Sequence, residues 1–154
     1  MLAPVLFFAF KRPAETKLAL EALQANHLAA ESDLHVFVDA PRKPAEAPKV
    51  AEVHRLLDGV TGFRNVYRDY AQQNIGCADS IIRGVSLVLE KHPTAIIVED
   101  DLITAPNFLD YMNQALRHYA QQPKVYSVAG YTMPFPRPVG YAHDAYFIPR
   151  HSPW

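Results

Sequence analysis

Three consecutive carboxylates, Glu99-Asp100-Asp101, follow directly on the apolar run Ala95-Ile96-Ile97-Val98. Like charges set side by side raise one another's pKa and repel, so the arrangement is costly unless a cation shares the site. Hard divalent ions such as Mg²⁺ and Mn²⁺ take oxygen ligands, often one or two carboxylates together with substrate phosphates. The chemistry these residues suit is therefore a metal–diphosphate site. A plainer reading stands beside it, a solvated acidic turn that caps the following helix. Two further residues bear on the choice. Arg12 lies in Lys11-Arg12-Pro13 after an apolar run, and Asp39 follows Val36-Phe37-Val38. A guanidinium meets phosphate through charge-assisted hydrogen bonds, and a carboxylate accepts donor hydrogens from a base or a sugar. Asp39 also precedes Ala40-Pro41, so a turn-forming role is equally open.

The elements that must position these groups can be read from pattern. His92-Pro93 breaks a helix, and the β-branched run after it predicts a central strand covered on both faces, as in a parallel sheet with helices on either side. Residues 4–10 are predicted as the first strand, ending at Lys11-Arg12. A helix follows over 14–30, with Leu18, Leu20, Leu23 and Leu28 as its apolar positions. The second strand is expected at 34–38, with Asp39 at its end. A Pro-rich loop covers 41–48, a helix 49–57 stops at Gly59, and the third strand covers 63–68. The polar loop 72–76 opens a long helix that reaches about residue 92. After the acids, Pro106 near a first helical position begins a helix with Phe108, Leu109, Tyr111, Met112 and Leu116 as its buried stripe. A further strand is expected at 125–129, a loop at 134–138 and a last short strand at 145–148. Strands alternating with helices predict an α/β three-layer sandwich with a mostly parallel central sheet. Arg12, Asp39 and the acids all fall where strands end, and in such sheets those ends share one edge, where ligands collect.

Composition narrows the classes. The chain has 154 residues, the size of one common domain, and its 49% hydrophobic and 20% charged content allows a substantial core. A formal net charge of -1 gives no electrostatic footprint for nucleic acid or an anionic membrane. The single cysteine, Cys77, excludes an intrachain disulfide and a Cys-based zinc site, fits a reducing compartment, and is expected to pack at a helix start. The apolar stretch 2–10 is short for a membrane span and has basic residues after it instead of before it, the reverse of a signal peptide. A cytoplasmic location is the expectation, with peripheral association to the inner membrane left open. The histidines form no His-x-x-x-His pair, so zinc is not expected. His143, Asp144 and His151 are weaker candidates for the site. Asn74 and Gly76 are expected to cap the following helix, and Arg83 to lie on a solvated face. Neither a P-loop nor a dinucleotide fingerprint occurs. A receiver-like domain would carry an acidic pair after its first strand, where this chain has Lys-Arg. A nucleotidyltransferase would carry a Gly-rich basic loop there, and residues 10–15 hold no glycine.

Several stretches, taken in order, resemble a known family. They are Pro4-Val5-Leu6-Phe7-Phe8-Ala9-Phe10-Lys11-Arg12-Pro13, Val36-Phe37-Val38-Asp39, Asn74-Ile75-Gly76, Ile97-Val98-Glu99-Asp100-Asp101-Leu102 and Ala105-Pro106-Asn107-Phe108-Leu109-Asp110-Tyr111. Together they look like the N-terminal, nucleotide-sugar-binding half of a glycosyltransferase of the GT-A fold. The type is family 2-like or N-acetylglucosaminyltransferase-like, with a Glu-Asp-Asp version of the DXD motif. The resemblance implies that Asp101 ligates Mn²⁺ or Mg²⁺ bridging the donor diphosphate. It implies that Glu99 and Asp100 hydrogen-bond ribose or donor sugar, that Asp39 faces the base, and that Arg12 faces the nucleotide. The metal would act as a Lewis acid on the departing nucleoside diphosphate. The activity so implied is metal-dependent, inverting hexosyl or N-acetylhexosaminyl transfer from a nucleoside-diphosphate sugar, foremost a UDP-sugar, to a glycan or lipid-linked acceptor. Members of the family continue into an acceptor-binding part that carries the catalytic base. Residues 1–154 are therefore expected to be the donor-binding domain, cut before that part at His151-Ser152-Pro153-Trp154, and no catalytic base is assigned. The alternative is a non-catalytic nucleotide-sugar-binding or scaffold module of the same fold.

Overall fold

The computed structural model describes residues 1–131 and 139–142. Among these residues four parallel strands form, β1 (Val5–Ala9), β2 (Asp33–Val38), β3 (Asn65–Tyr70) and β4 (Ile96–Glu99), in the order β3-β2-β1-β4; β1, β2 and β4 are apolar runs and β3 is a more polar, exposed one. Val5 sits opposite Leu34 on one side and Ile96 on the other, so β1 is the inner strand that joins β4 to β2. Four helices connect or follow the strands: α1 (Pro13–Gln24), α2 (Ala47–Asp58), α3 (Cys77–Leu89) and α4 (Phe108–Tyr119). The pleat of β1 decides which helix packs where. Val5, Phe7 and Ala9 share one core with Leu20 and Leu23 of α1, Val50, Val53 and Leu57 of α2, and Leu109 and Met112 of α4. Leu6 and Phe8 face the other way, into a second core with Phe37 of β2 and Val88 of α3. The result is the expected three-layer α/β sandwich with a parallel sheet. The chain moves from β1 to β2 to β3 in one direction, then returns through α3 to the far side of β1. Right-handed crossovers that run in opposite directions along the sheet place their helices on opposite faces, which is why, among the described residues, α3 is the helix on its side.

Two contacts fix the spacing of these layers. Gly84 of α3 lies so close to the sheet that an added Cβ would come within 2.8 Å of the Phe8 ring and 3.1 Å of the Phe37 ring. Those two rings stack on each other at a centroid distance of 5.1 Å. On the opposite face, buried Asn26 joins α1 to α4: its Oδ1 accepts from the Leu109 amide at 2.9 Å and its Nδ2 donates to the Ala22 carbonyl at 3.0 Å.

The structure corrects several sequence expectations. The first helix ends at Gln24 instead of residue 30, because Asn26 turns away to hold the start of α4. The acid-bearing strand, expected to be central, is one of the two outer strands among the described residues, β3 being the other. Its inward residues Ile96 and Val98 are fully buried, whereas Ile97, on the α3 face, is 44% exposed because α3 sits over β1 and β2. Among the described residues no ladder forms at 125–129; Val125 closes a turn onto the Gln122 carbonyl at 2.9 Å. Cys77 does start α3 but is exposed. Tyr111 and three apolar residues of α3, Ile82, Leu87 and Leu89, face outward. The expected loop at 134–138 and strand at 145–148, with His143, Asp144 and His151, lie outside the described residues. Among the described residues no helix is long and apolar enough to cross a membrane.

Candidate functional site

The candidate site forms where the carboxyl ends of β1 and β4 adjoin. The strand order reverses at this seam, with β2 and β3 on one side of β1 and β4 on the other, which makes it a topological switch point, the place where open α/β sheets hold ligands. β1 delivers Phe10, Lys11 and Arg12, and β4 delivers Glu99, Asp100 and Asp101. Asp100 is buried, its side chain only 3% exposed. Its Oδ2 accepts from the Phe10 amide at 3.3 Å, and its Oδ1 accepts from Nη2 of Arg12. The other arm of the guanidinium, Nη1, donates to Oδ2 of Asp101 at 2.8 Å, and this carboxylate is 46% exposed. One arginine therefore spans a buried and an open carboxylate. The bond to Asp100 holds the Arg12 pKa above its ordinary value, against the opposing effect of burial. Glu99 moves the other way for a carboxylate: burial, then the charges of Asp101 and Asp100, raise its pKa, and Arg12 offsets part of that rise.

Asp39, at the end of β2, has a different environment. It is 6% exposed and its carboxylate is surrounded by protein donors. Oδ1 accepts from the amides of Ala40 at 2.9 Å and Ile75 at 3.0 Å. Oδ2 accepts from the Gly76 amide at 2.8 Å and Asn74 Nδ2 at 2.9 Å. A carboxylate offers about four lone-pair sites, so this one is fully engaged. Asn74 and Gly76 thus turn back to Asp39. The Asn74 side chain makes no cap on α3, and Gly76 reaches its position through a φ of 87°, a conformation open to glycine.

Glu46, which pattern reading passed over, secures the rim between these two groups. Its Oε1 accepts from Lys11 Nζ at 2.5 Å and its Oε2 from the Arg42 amide at 2.9 Å. The Lys11 contact lowers the Glu46 pKa. Its signal was faint, a single acid within a Pro-rich loop whose partner lies 35 residues away. Arg83 pairs with Asp69 at 2.7 Å across α3 and β3 and is not brought to the acids. A shallow cavity of about 390 Å³ opens on the α1–α2 side of Arg12, lined also by Lys11, Lys17 and Lys49.

The acids can be tested for their fit to a divalent ion. Among the described residues no three His, Cys, Asp or Glu side chains converge to form a metal cage. Asp101 nevertheless presents a half-exposed carboxylate at a sheet edge, and Asp100 beside it is fixed from behind. One or two carboxylates completed by phosphate oxygens and water is an ordinary arrangement for Mg²⁺, so the residues present fit an ion that arrives with a diphosphate. Arg12, Asp39 and Asp101 line one edge of the sheet, as the sequence pattern required.

No protein-family model and no curated protein matches the chain. Among solved structures it is similar to TarS of S. aureus, a glycosyltransferase, with a TM-score of 0.55 and 14% identity over 78% of this chain. A structure of S. aureus TarS 1–349 gives 0.53 and 13% over the same share. The chain spans 20% of the first structure's length and 33% of the second's. At such identity the likeness shows the fold alone, an α/β architecture shared with these structures, and in this chain its switch point carries Arg12, Asp100 and Asp101.

Proposed function

We propose that this chain is the donor-binding part of a metal-dependent glycosyltransferase that uses a nucleoside-diphosphate sugar. The observation that carries the reading is the meeting of Arg12, Asp100 and Asp101 at the switch point of a glycosyltransferase-like fold. Asp101 would hold Mn²⁺ or Mg²⁺ together with the donor diphosphate. The ion, when bound, supplies Lewis-acid stabilisation of the departing nucleoside diphosphate. Asp100, locked by the Phe10 amide and Arg12, orients Asp101 from behind. Glu99, with its raised pKa, is suited to a hydrogen bond with ribose or donor sugar. Asp39 shapes the base-facing rim by holding residues 74–76, and the base would meet that rim. The substrate class is a UDP-sugar, the acceptor a glycan or lipid-linked saccharide. No described residue is proposed as the catalytic base.

The test is calorimetric titration of the 154-residue chain with UDP, with and without Mn²⁺, repeated for Asp101→Ala. Mn²⁺-dependent binding that falls at least tenfold in the variant is expected. Equal UDP affinity in both proteins would remove Asp101 from the site. UDP-sugar binding without transfer to any acceptor would favour a non-catalytic nucleotide-sugar-binding module of the same fold.

A further inference from the structure

We infer that Arg12 is a built-in stand-in for the divalent cation: in the nucleotide-free protein it occupies Asp101, so that metal and diphosphate enter together, the diphosphate receiving the guanidinium arm that the metal displaces. This rests on the donor-site reading above and adds a residue-level account of how the site loads.

Three adjacent carboxylates require a cation, and the structure supplies one from within the chain. Among the described residues no other cation touches the trio. Lys11 is held on Glu46 at 2.5 Å and Arg83 on Asp69 at 2.7 Å. The two arms of Arg12 are not equivalent. The arm on Asp100 is anchored to a buried carboxylate, and breaking a buried pair leaves an uncompensated charge away from water. The arm on Asp101 meets a carboxylate that is 46% exposed, where an ion pair is worth little and solvent competes. Exchange therefore belongs to the Asp101 arm.

Charge then orders the events. A divalent ion arriving alone on Asp101 would stand beside a guanidinium, which repels it and holds one of its ligand oxygens. A diphosphate arriving alone would meet the two negative charges that one arginine leaves uncancelled on the trio. Arriving together, the ion takes Asp101 and the diphosphate takes the freed arm in a charge-assisted bond. Arg12 is on this account a positioning residue, and it couples two ligands that would each bind weakly alone. The notion differs from a plain phosphate-binding arginine in the sign of one measurable quantity. With net charge held constant, removing a phosphate ligand leaves metal affinity unchanged, whereas removing a competitor raises it.

The experiment measures Mn²⁺ binding without nucleotide, from the electron paramagnetic resonance signal of free Mn²⁺. It uses the 154-residue chain, Arg12→Met, and the double variant Arg12→Met with Asp100→Asn. The double variant keeps the buried carboxylate from being left uncompensated, should the single one fail to fold. Mn²⁺ affinity is expected to rise about tenfold in Arg12→Met. A rise of about threefold is expected in the double variant, where net charge is unchanged and only competition for Asp101 is relieved. The coupling between Mn²⁺ and UDP seen in the parent chain is expected to shrink in both. Mn²⁺ affinity equal to or below that of the parent in the double variant would overturn the inference. If the parent still binds UDP with Mn²⁺ in that case, the donor site survives without the arginine's role. Tighter Mn²⁺ binding in the variants with no UDP binding to any of the three proteins supports the competition and overturns the donor-site reading.

Discussion

Replacing Asp39 by Asn changes one atom, and the structure states what that atom does. Each carboxylate oxygen of Asp39 accepts two hydrogen bonds, from the Ala40 and Ile75 amides on one and from the Gly76 amide and Asn74 side chain on the other. An amide in the same place turns one acceptor into a donor that faces two donors, and it removes the charge from the rest. Hydrogen bonds to a charged group contribute about 1.5–3 kcal/mol each. Bonds that share an acceptor are not additive, and residues 74–76 are exposed enough for water to replace part of the loss. The expected destabilisation is therefore about 2–4 kcal/mol, a fall in Tm of roughly 5–15 °C for a domain of this size. Urea unfolding measures the first quantity. Amide hydrogen exchange locates it, because protection of Ile75 and Gly76 should collapse while that of β1 and β2 persists. A loss below about 1 kcal/mol, or unchanged protection at 75 and 76, would refute the claim that Asp39 holds this loop.

Two further outcomes follow from packing and titration. Gly84→Ala gains about 1 kcal/mol of helix propensity, but its Cβ meets the Phe8 ring at 2.8 Å inside a packed layer, an overpacking cost of about 1–3 kcal/mol. A net loss of about 1–2 kcal/mol in urea unfolding is expected, and a more stable variant would show that α3 is free to lift. His54 stacks on Tyr70 at 4.0 Å with its Nε2 buried and unpartnered, and burial lowers its pKa below the ordinary 6.5, with Asp58 opposing. The fold thus favours the neutral ring. Its contribution is complete above about pH 6.5 and is lost as pH falls from there through the lowered folded value. His35, lowered by burial and by His92, acts in the same direction. Urea midpoints between pH 7.5 and 5.5 should fall less steeply in His54→Phe than in the parent, and an identical slope would assign the whole effect elsewhere.

The alternation of apolar runs with amphipathic segments carried the architecture, because Leu6, Phe7 and Phe8 can be buried on both faces only in a sheet covered on both sides. The same logic failed at Ile97. Pattern records that a residue is apolar, whereas its exposure depends on α3 standing over β1 and β2 instead of β4. The candidate site was legible as a set of strand ends. What those ends touch was not, since Arg12 and Asp100 are 88 positions apart and their ion pair is a property of register between β1 and β4. Asp39 shows the same limit from another side. Its type fits both a base acceptor and a turn-former, and only the placement of residues 74–76, which supply three of the four donors around it, reveals that it holds a distant loop. At 125–129, β-propensity was outweighed by a turn that begins at Gln122.

The junction of β1 with β4 also sets when such a site exists. β1, β2 and β3 are joined by successive nearby crossovers, whereas β4 returns to β1 after the whole of β2, β3 and α3 has intervened. Closing that long segment carries the largest loop entropy in the sheet, and non-local pairings of this kind slow folding. A partly folded chain with β1, β2 and β3 assembled would have a core but no paired acids. A ligand that touches both strand ends would bind only after the last pairing and, by mass action, would stabilise that seam above the rest of the molecule. Binding competence in this fold therefore requires the β1–β4 pairing, and it reports on completion of the sheet.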